Sequence, residues 1–442
     1  MVEGTVRSRE EVILKMIRST LAYVSVLLCA FVPGQLAAGG GHIVATGIPD
    51  SLFAIQGSAH EATNLQDIVS QAPDSSVILI EGHHFLVPAV YEEELCGNCE
   101  NPETEVTATA GLIVSGTGKR IVGISPEESF IHTNSGYGIL FQDCEDCAVE
   151  SLTVTDGIRD PDPNATDAAI VVKRSHVRVA HNRITGNIGD PLVVRRTVVG
   201  VIGIAGREDS HIEIMGNEIV RNSWDGIALY RDSKAKIDDN LIDGVDLASG
   251  DDVGGGRGVG IGLTWNSRAA LQGNLVRRYW KGIGIFVDAA GLVVQNVVED
   301  VATWGISLWD ADKGKPSGVM FGNMIFRTGA CGVAVVRGSE DSTNAGLFMK
   351  NVLVQTGQNP KYDSGEPYCF QQALAIHKAP ESFKVSDNLF FANREPGDKE
   401  GVRDIAEEEF LEVVAKYETQ LRKSPVLSRS EFLKWLEAIK EE

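Results

Sequence analysis

The chain has 442 residues, 43% hydrophobic and 23% charged, an apolar share that can bury a large core and excludes a disordered polar tail. Its 47 glycines follow no three-residue period, which excludes a collagen triple helix. Acidic residues outnumber basic ones 61 to 40, a formal charge of -21. That balance argues against nucleic acid, whose phosphates need a basic footprint, and leaves cationic or metal-bridged ligands, or solubility alone.

The first element in chain order is an export signal. Residues 21–32 (LAYVSVLLCAFV) form a 12-residue apolar run, too short to span a membrane. Lys15 and Arg18 precede it, and the small residues Ala37, Ala38 and Gly39 follow. Initiation at Met1 or at Met16 stays open; the latter gives the more ordinary signal, because Glu10 and Glu11 are unusual in a leader. Lipidation at Cys29 is disfavoured by the bulky Leu28 before it. A signal over residues 1–38 leaves 36 basic and 58 acidic residues, a net -22. No later stretch can cross a membrane, so the mature protein is expected in the periplasm or outside the cell.

Residues 39–109 are expected to form an N-terminal cap and first coil. Within them HEATNLQDIVSQ (60–71) reads as a short amphipathic helix with Leu65, Ile68 and Val69 on one side, and VILIEG (77–82) as a strand. Cys96-x-x-Cys99 and Cys144-x-x-Cys147 have the spacing of a four-thiolate zinc site. Export favours disulfides instead, and free thiols are the third reading. Cys331 and Cys369 are either bridged or buried as small side chains.

A repeat organises residues 110–398. The phrase apolar-x-apolar-x-x-Asn-x-apolar recurs, placing Asn182, Asn217, Asn240, Asn274, Asn296, Asn323, Asn351 and Asn388 at equivalent positions. Their spacings fall to a minimum of 22 residues. A second phrase alternates with it: Gly226-Ile-Ala-Leu229, Gly260-Ile-Gly-Leu263, Gly282-Ile-Gly-Ile285, Gly305-Ile-Ser-Leu308 and Gly332-Val-Ala-Val335. Its period of two sends both apolar residues inward from one short strand. At least two short strands in about 22 residues exclude helical repeats and propeller blades, and they match one coil of a parallel β-helix. The asparagines are expected to be structural, tolerating left-handed backbone and bonding nearby main chain. The glycines before each strand are expected to permit tight turns. Residues 399–442 switch to period 3.6, in IAEEEFLEVVAKYETQL and SEFLKWLEAI, two helices expected on the far end or flank. Ser428 or Ser430 would cap the second of them.

The Asn-x-Ile and Gly-Ile-x-Leu phrases from Gly138 to Phe390 resemble the right-handed parallel β-helix proteins of the pectate-lyase-like superfamily. The opening from His60 to Glu81 is similar to the helix-then-strand start of secreted members. The resemblance implies an all-β fold: a single-stranded right-handed parallel β-helix, a solenoid with an N-terminal capping helix and a C-terminal helical segment. It also implies a link to carbohydrate, since the superfamily includes polysaccharide lyases, polygalacturonase-like hydrolases, mannuronan epimerases and exported carbohydrate-binding proteins. Catalytic signatures do not carry over. Asp251-Asp252 is present without the Gly-His-Gly of the hydrolases, Asp160-Pro-Asp-Pro163 lacks the histidine of the epimerase motif, and the lyase Trp-Ile-Asp-His is absent.

Coil geometry places the candidate site on the Gly-Ile-x-Leu strands. Their middle residues, Gly203, Ala228, Gly262, Gly284, Ser307, Ala334 and Ala375, are expected to make a shallow outward floor. Five of the six tryptophans lie between residues 224 and 309 beside that strip, and flat rings over an open groove suit sugar faces. The substrate-binding candidates are Trp224, Asp225, Tyr230, Trp265, Trp280, Trp304, Trp309 and Asp310. The insert between Asn240 and Gly260 adds Asp243, Asp246, Asp251 and Asp252, an oxygen cluster of the type that binds Ca²⁺, with a solvated loop as the alternative. For β-elimination, Ca²⁺ or a cation neutralises a uronate carboxylate while a base removes the C5 proton. Asp251, Asp252, Arg257 and Lys281 are the catalytic candidates on that reading. A polysaccharide or other glycan is the expected partner, with lyase action on a uronate polymer as one reading. The alternatives are a non-catalytic polysaccharide-binding protein and a purely structural envelope solenoid.

Overall fold

The computed structural model describes residues 41–49, 64–197, 199–244, 257–339, 343–363, 371–395 and 400–441. Residues 1–38, Cys369 and the insert positions Asp246, Asp251 and Asp252 lie outside them.

Each coil lays down three short strands, one more than the two phrases require, and successive coils stack them into three parallel sheets. Sheet A runs from His42–Thr46 to Lys384–Ser386, and sheet B from the second half of Val77–Phe85 to Val402–Asp404. Sheet C holds the Gly-Ile-x-Leu strands, from Glu105–Thr117 to Leu374–His377. It begins with an antiparallel hairpin partner, Ala89–Leu95. Register in sheet C is in phase with the sequence repeat. Ile261, Ile283, Ile306 and Val333 stack in one inward column, and Leu263, Ile285, Leu308 and Val335 in the next. All eight are fully buried, each worth about 1.5–3 kcal/mol against exposure.

The asparagines form a continuous ladder inside the corner between sheets A and B. Asn182 Nδ2 donates to Asn217 Oδ1 at 3.1 Å, Asn217 to Asn240 at 3.0 Å, and the series continues through Asn274, Asn296, Asn323 and Asn351 to Asn388. Each oxygen also accepts the backbone N–H of the preceding asparagine, as Asn296 Oδ1 does from Asn274 N at 3.0 Å. The expected conformation needs correcting. The left-handed residue is the one before each asparagine: His181, Gly216, Asp239, Gly273, Gln295, Gly322, Lys350 and Asp387 all have φ between 52° and 67°. That residue turns the chain, and the asparagine bonds the turns of adjacent coils together.

The strand-leading glycines also have a different cause from the expected turn. Gly226 and Gly282 do not have positive φ. A Cβ on Gly282 would lie 2.3 Å from the carbonyl oxygen of Gly305, and one on Gly226 would lie 2.6 Å from that of Gly260. Close approach of neighbouring coils, rather than turn conformation, selects glycine here.

Helix α1 (Leu65–Gln71) buries Leu65 and Val69 at the start of the core. Its Gln66 side chain exchanges two hydrogen bonds with the backbone of Ile113, at 2.7 and 3.1 Å, occupying backbone groups at the start of sheet C. Helix α2 (Pro191–Thr197) lies in an insert with no helical signal in its sequence pattern. Helices α3 (Glu407–Leu421) and α4 (Glu431–Glu441) lie on a flank, where Phe410, Phe432 and Leu436 cover Leu275, Met324 and Phe326 of sheet B. Ser430, not Ser428, precedes α4, and the buried Glu299 carboxylate accepts the first two backbone N–H groups of that helix, from Glu431 at 2.9 Å and Phe432 at 3.1 Å. Among the described residues no helix is long and apolar enough to cross a membrane.

The four-thiolate zinc reading fails. Cys96 and Cys99 are joined to each other as a disulfide, so neither offers a thiolate. Cys144 and Cys147 are buried thiols, donating to the carbonyls of Val114 and Gly116 in the neighbouring strand. Cys331 is buried, and its candidate partner Cys369 lies outside the described residues.

Candidate functional site

The outward side of sheet C carries the aromatic and charged candidates in register. Its middle column is Ala205, Ala228, Gly262, Gly284, Ser307, Ala334 and Ala375. Ala205 therefore takes the place expected for Gly203, which is two residues earlier, in the close-approach position against Gly226. The column is not an open floor, since Ala228, Ser307, Ala334 and Ala375 are each buried beneath larger neighbours. Beside it run Phe286, Trp309, Val336 and His377 in a second column. A third, at the strand entry, includes Val259 paired with Lys281 and Trp304 paired with Cys331.

Lys281 is the centre of this face. Its Nζ lies 4.9 Å from the ring centroid of Trp280, 5.0 Å from Trp304, 5.3 Å from Phe286 and 5.6 Å from Trp309. The ring quadrupoles stabilise the ammonium where water cannot reach it freely. Burial nevertheless lowers its pKa below the ordinary lysine value, with the Asp225 carboxylate opposing that shift. Trp280 and Trp309 keep 39% and 43% of their surface in solvent, an unusual state for the largest side chain.

Asp225, at the entry to the strand Ile227–Leu229, is only 7% exposed. Its Oδ1 accepts the backbone N–H of Val259 at 2.6 Å. Gly258 makes room for it, since a Cβ there would lie 1.9 Å from that oxygen. Burial pushes the carboxyl up to about 7, opposed by the Val259 hydrogen bond and by Lys281. Arg257 lies over Trp224, 5.5 Å from its ring centroid. Tyr230 is buried, and burial raises its phenol pKa. One face thus brings together a buried carboxyl with a raised pKa, two cations and exposed rings.

Other candidates have structural partners. Trp265 donates from Nε1 to the carbonyl and side-chain oxygens of Asn98, both at 3.1 Å, and carries Arg231 at 5.0 Å over its ring. Asp310 accepts backbone N–H groups of Asp312 and Gly338 at 3.1 and 2.8 Å, holding a turn. Asp243 is buried in a sheet B strand, away from the sheet C face, and is bound by Arg277 at 2.8 Å and by Arg278. Those two arginines satisfy the charge that a Ca²⁺ ion would have balanced. Asp246, Asp251 and Asp252 are outside the described residues.

The residue pattern gave no sign of a strap that walls one margin of the face. The hairpin and the disulfide-closed turn that follows it lie along successive coils. The Leu95 carbonyl meets Arg207, the Cys99 carbonyl meets Arg231, Asn98 meets Trp265, and Glu100 pairs with Lys313 at 2.7 Å. Glu94, fully buried, pairs with Lys173 and Arg207 beneath it. Cys96-x-x-Cys99 was the available signal, but a cysteine pair says nothing about which surface its loop crosses.

The family model for the right-handed β-helix region matches residues 110–246 and 195–349, together more than half of the chain. The chain belongs to this family. Comparison with curated protein sequences gives no match. Among solved structures, the β-helix is similar to the Dettilon tailspike protein, with 13% identity and a TM-score of 0.40 over 79% of this chain and 66% of the tailspike, so it spans just under two thirds of that protein. It is similar to the catalytic unit of an α-1,3-glucanase from Streptomyces thermodiastaticus, at 12% identity and a TM-score of 0.44, covering 85% of this chain and 67% of the other. The Streptococcus pneumoniae surface adhesin PfbA is a third, at 13% identity and 0.39, covering 74% and 80%. At this distance the likenesses say nothing about which reaction, if any, the β-helix performs.

Proposed function

We propose that the protein is an exported glycan-binding β-helix, and that the outer face of sheet C around Lys281 receives an acidic polysaccharide. The observation that carries this reading is the Lys281 ammonium set among four aromatic rings, two of them open to solvent. Exposed indole faces stack on the apolar faces of sugar rings, and a cation between them selects sugars that carry a carboxylate. Arg257 over Trp224 offers a second positive charge on the same face. An export signal over residues 1–38, as the apolar run at 21–32 suggests, fits a protein that meets extracellular polymers.

A second reading, β-elimination on a uronate, is favoured by Asp225. A carboxyl titrating near 7 is matched to proton abstraction at neutral pH, and Lys281 would neutralise the adjacent uronate carboxylate. The burial of Asp225 favours binding alone.

Polygalacturonate, alginate and neutral glucans, tested by calorimetry with and without Ca²⁺, separate the readings. Binding to the acidic polymers but not to glucan supports the proposal, and retention of that binding by Lys281→Met would overturn it. Appearance of the ultraviolet band of an unsaturated uronate product, lost in Asp225→Asn, adds the lyase activity.

A further inference from the structure

Away from the sheet C face, the corner leading from sheet C into sheet A gathers metal-ligating groups of different kinds. The strand Tyr137–Glu145 ends on Glu145, and Asp146 turns the chain into Cys147–Glu150. On the next two coils His176 and His211 occupy matching register positions at the start of their sheet A strands. One ligand atom from each of Glu145, Asp146 and His176 lies within 4.8 Å of the other two. His176 Nδ1 is 3.0 Å from Glu145 Oε1, while its Nε2 is 2.6 Å from His211 Nδ1.

The surrounding charges leave these groups available. Asp143, in the same turn, is taken by Arg174 through two bonds at 2.8 and 3.1 Å. Among the described residues Asp146 has no hydrogen-bond or ion-pair partner. The flanking thiols of Cys144 and Cys147 are buried in the core and bonded to backbone carbonyls, so they are not part of the cluster. Lys234 follows His211 in the same register column, one coil beyond the cluster.

We propose that Glu145, Asp146 and His176 form a binding site for one first-row divalent cation of the Zn²⁺ type, with His211 orienting His176. Two carboxylates balance the charge of a divalent ion. An imidazole ligand favours first-row transition ions over Ca²⁺ and Mg²⁺, which prefer oxygen alone. With its proton on Nε2, donated to His211 Nδ1, His176 directs the Nδ1 lone pair at the two carboxylates. This is the outer-sphere arrangement that fixes the tautomer of a metal-binding histidine. Both carboxylates are exposed, so the remaining coordination positions belong to water. The cluster shares no residue with the face around Lys281, and the proposal stands independently of the glycan reading.

The test uses the full chain after chelator treatment, titrated with Zn²⁺ by calorimetry and with Co²⁺ by visible absorption. One equivalent is expected to bind with the spectrum of nitrogen and oxygen ligands. His176→Ala should abolish it, Glu145→Gln with Asp146→Asn should do the same, and His211→Phe should weaken it by about 10–100-fold. Circular dichroism checks that the variants fold. Absence of Zn²⁺ binding, unchanged binding in His176→Ala, or a thiolate-to-cobalt charge-transfer band that disappears in Cys144→Ala/Cys147→Ala would overturn the proposal.

Discussion

The outer faces of sheets B and C belong to the same coils, yet among the described residues helices close the first and not the second. On sheet B the outward residues Leu241, Leu275, Val297, Met324 and Val352 make an apolar stripe, and α3 and α4 lie over it. Phe326 packs 5.4 Å from Phe432 and 5.2 Å from Trp435, ring centre to ring centre. On sheet C the outward side carries Lys281, Phe286, Trp304 and Trp309 beside a column of small residues, with Asp225 and Trp280 at the strand entries, and Trp280 and Trp309 remain exposed. An apolar column without charge is stabilised by any cover that excludes water. A column mixing rings with Lys281 and Asp225 is poorly served by an apolar helix, because the charges would lose solvent without gaining a partner. It suits a ligand that brings both ring faces and charge.

The largest expected effect lies on the closed face. Phe432→Ala should destabilise the protein by about 3–5 kcal/mol, read as a lower urea midpoint with α3 and α4 melting first. Glycan binding at sheet C should survive below that transition; if it does not, the two faces are coupled and the contrast fails. Next comes the asparagine ladder in the corner between sheets A and B. Asn296→Leu removes the acceptor used by Asn274 and orphans buried groups on both sides, a loss of about 2–4 kcal/mol seen in thermal unfolding.

On the open face, Trp280→Ala with Trp309→Ala should change stability by under about 1 kcal/mol, because both rings already contact water. Affinity for an acidic glycan should fall by about tenfold or more. A large stability loss would reassign both rings to packing.

Smaller effects come from the buried carboxyls. Asp225 and Glu299 are both raised to about 7 by burial, so between their ordinary values near 4 and pH 7 the folded protein holds protons that the unfolded chain has released. The sign follows directly: their contribution to stability falls as pH rises through that window, and is flat below it. Asp225→Asn should therefore raise the melting temperature at pH 8 more than at pH 4, while removing any elimination activity. Glu299→Gln should show the same flattening, reduced by a weakened cap on α4. An unchanged pH profile in both variants would place the pH dependence elsewhere.

The solenoid was legible because its signals are local and repeated. A 22-residue unit with period-two apolar pairs and a recurring asparagine permits little but stacked coils, and the inward columns follow from alternation alone. The reasons for individual residues were less legible. Left-handed backbone belongs to the residue before each asparagine, and Gly282 is glycine because the next coil approaches it, a distance no single coil contains. The tryptophan strip was visible as a concentration along the chain. Which rings would be exposed was not, because Trp265 lies under a strap from residue 98 while Trp309 does not.

The sequence by itself determined an excess of glycine and acid arranged in a repeat, and therefore a parallel β-helix with α-helical ends. Tertiary structure decided everything that depends on pairing distant residues. Asp225 meets Val259, Asp243 meets Arg277 and Arg278, and Glu299 caps a helix that begins 132 residues later. Periodicity specifies which way a side chain points, because that depends on its own strand. It cannot specify what stands opposite, and the chemistry of a carboxylate or an ammonium is set by its partners and by how much water they leave.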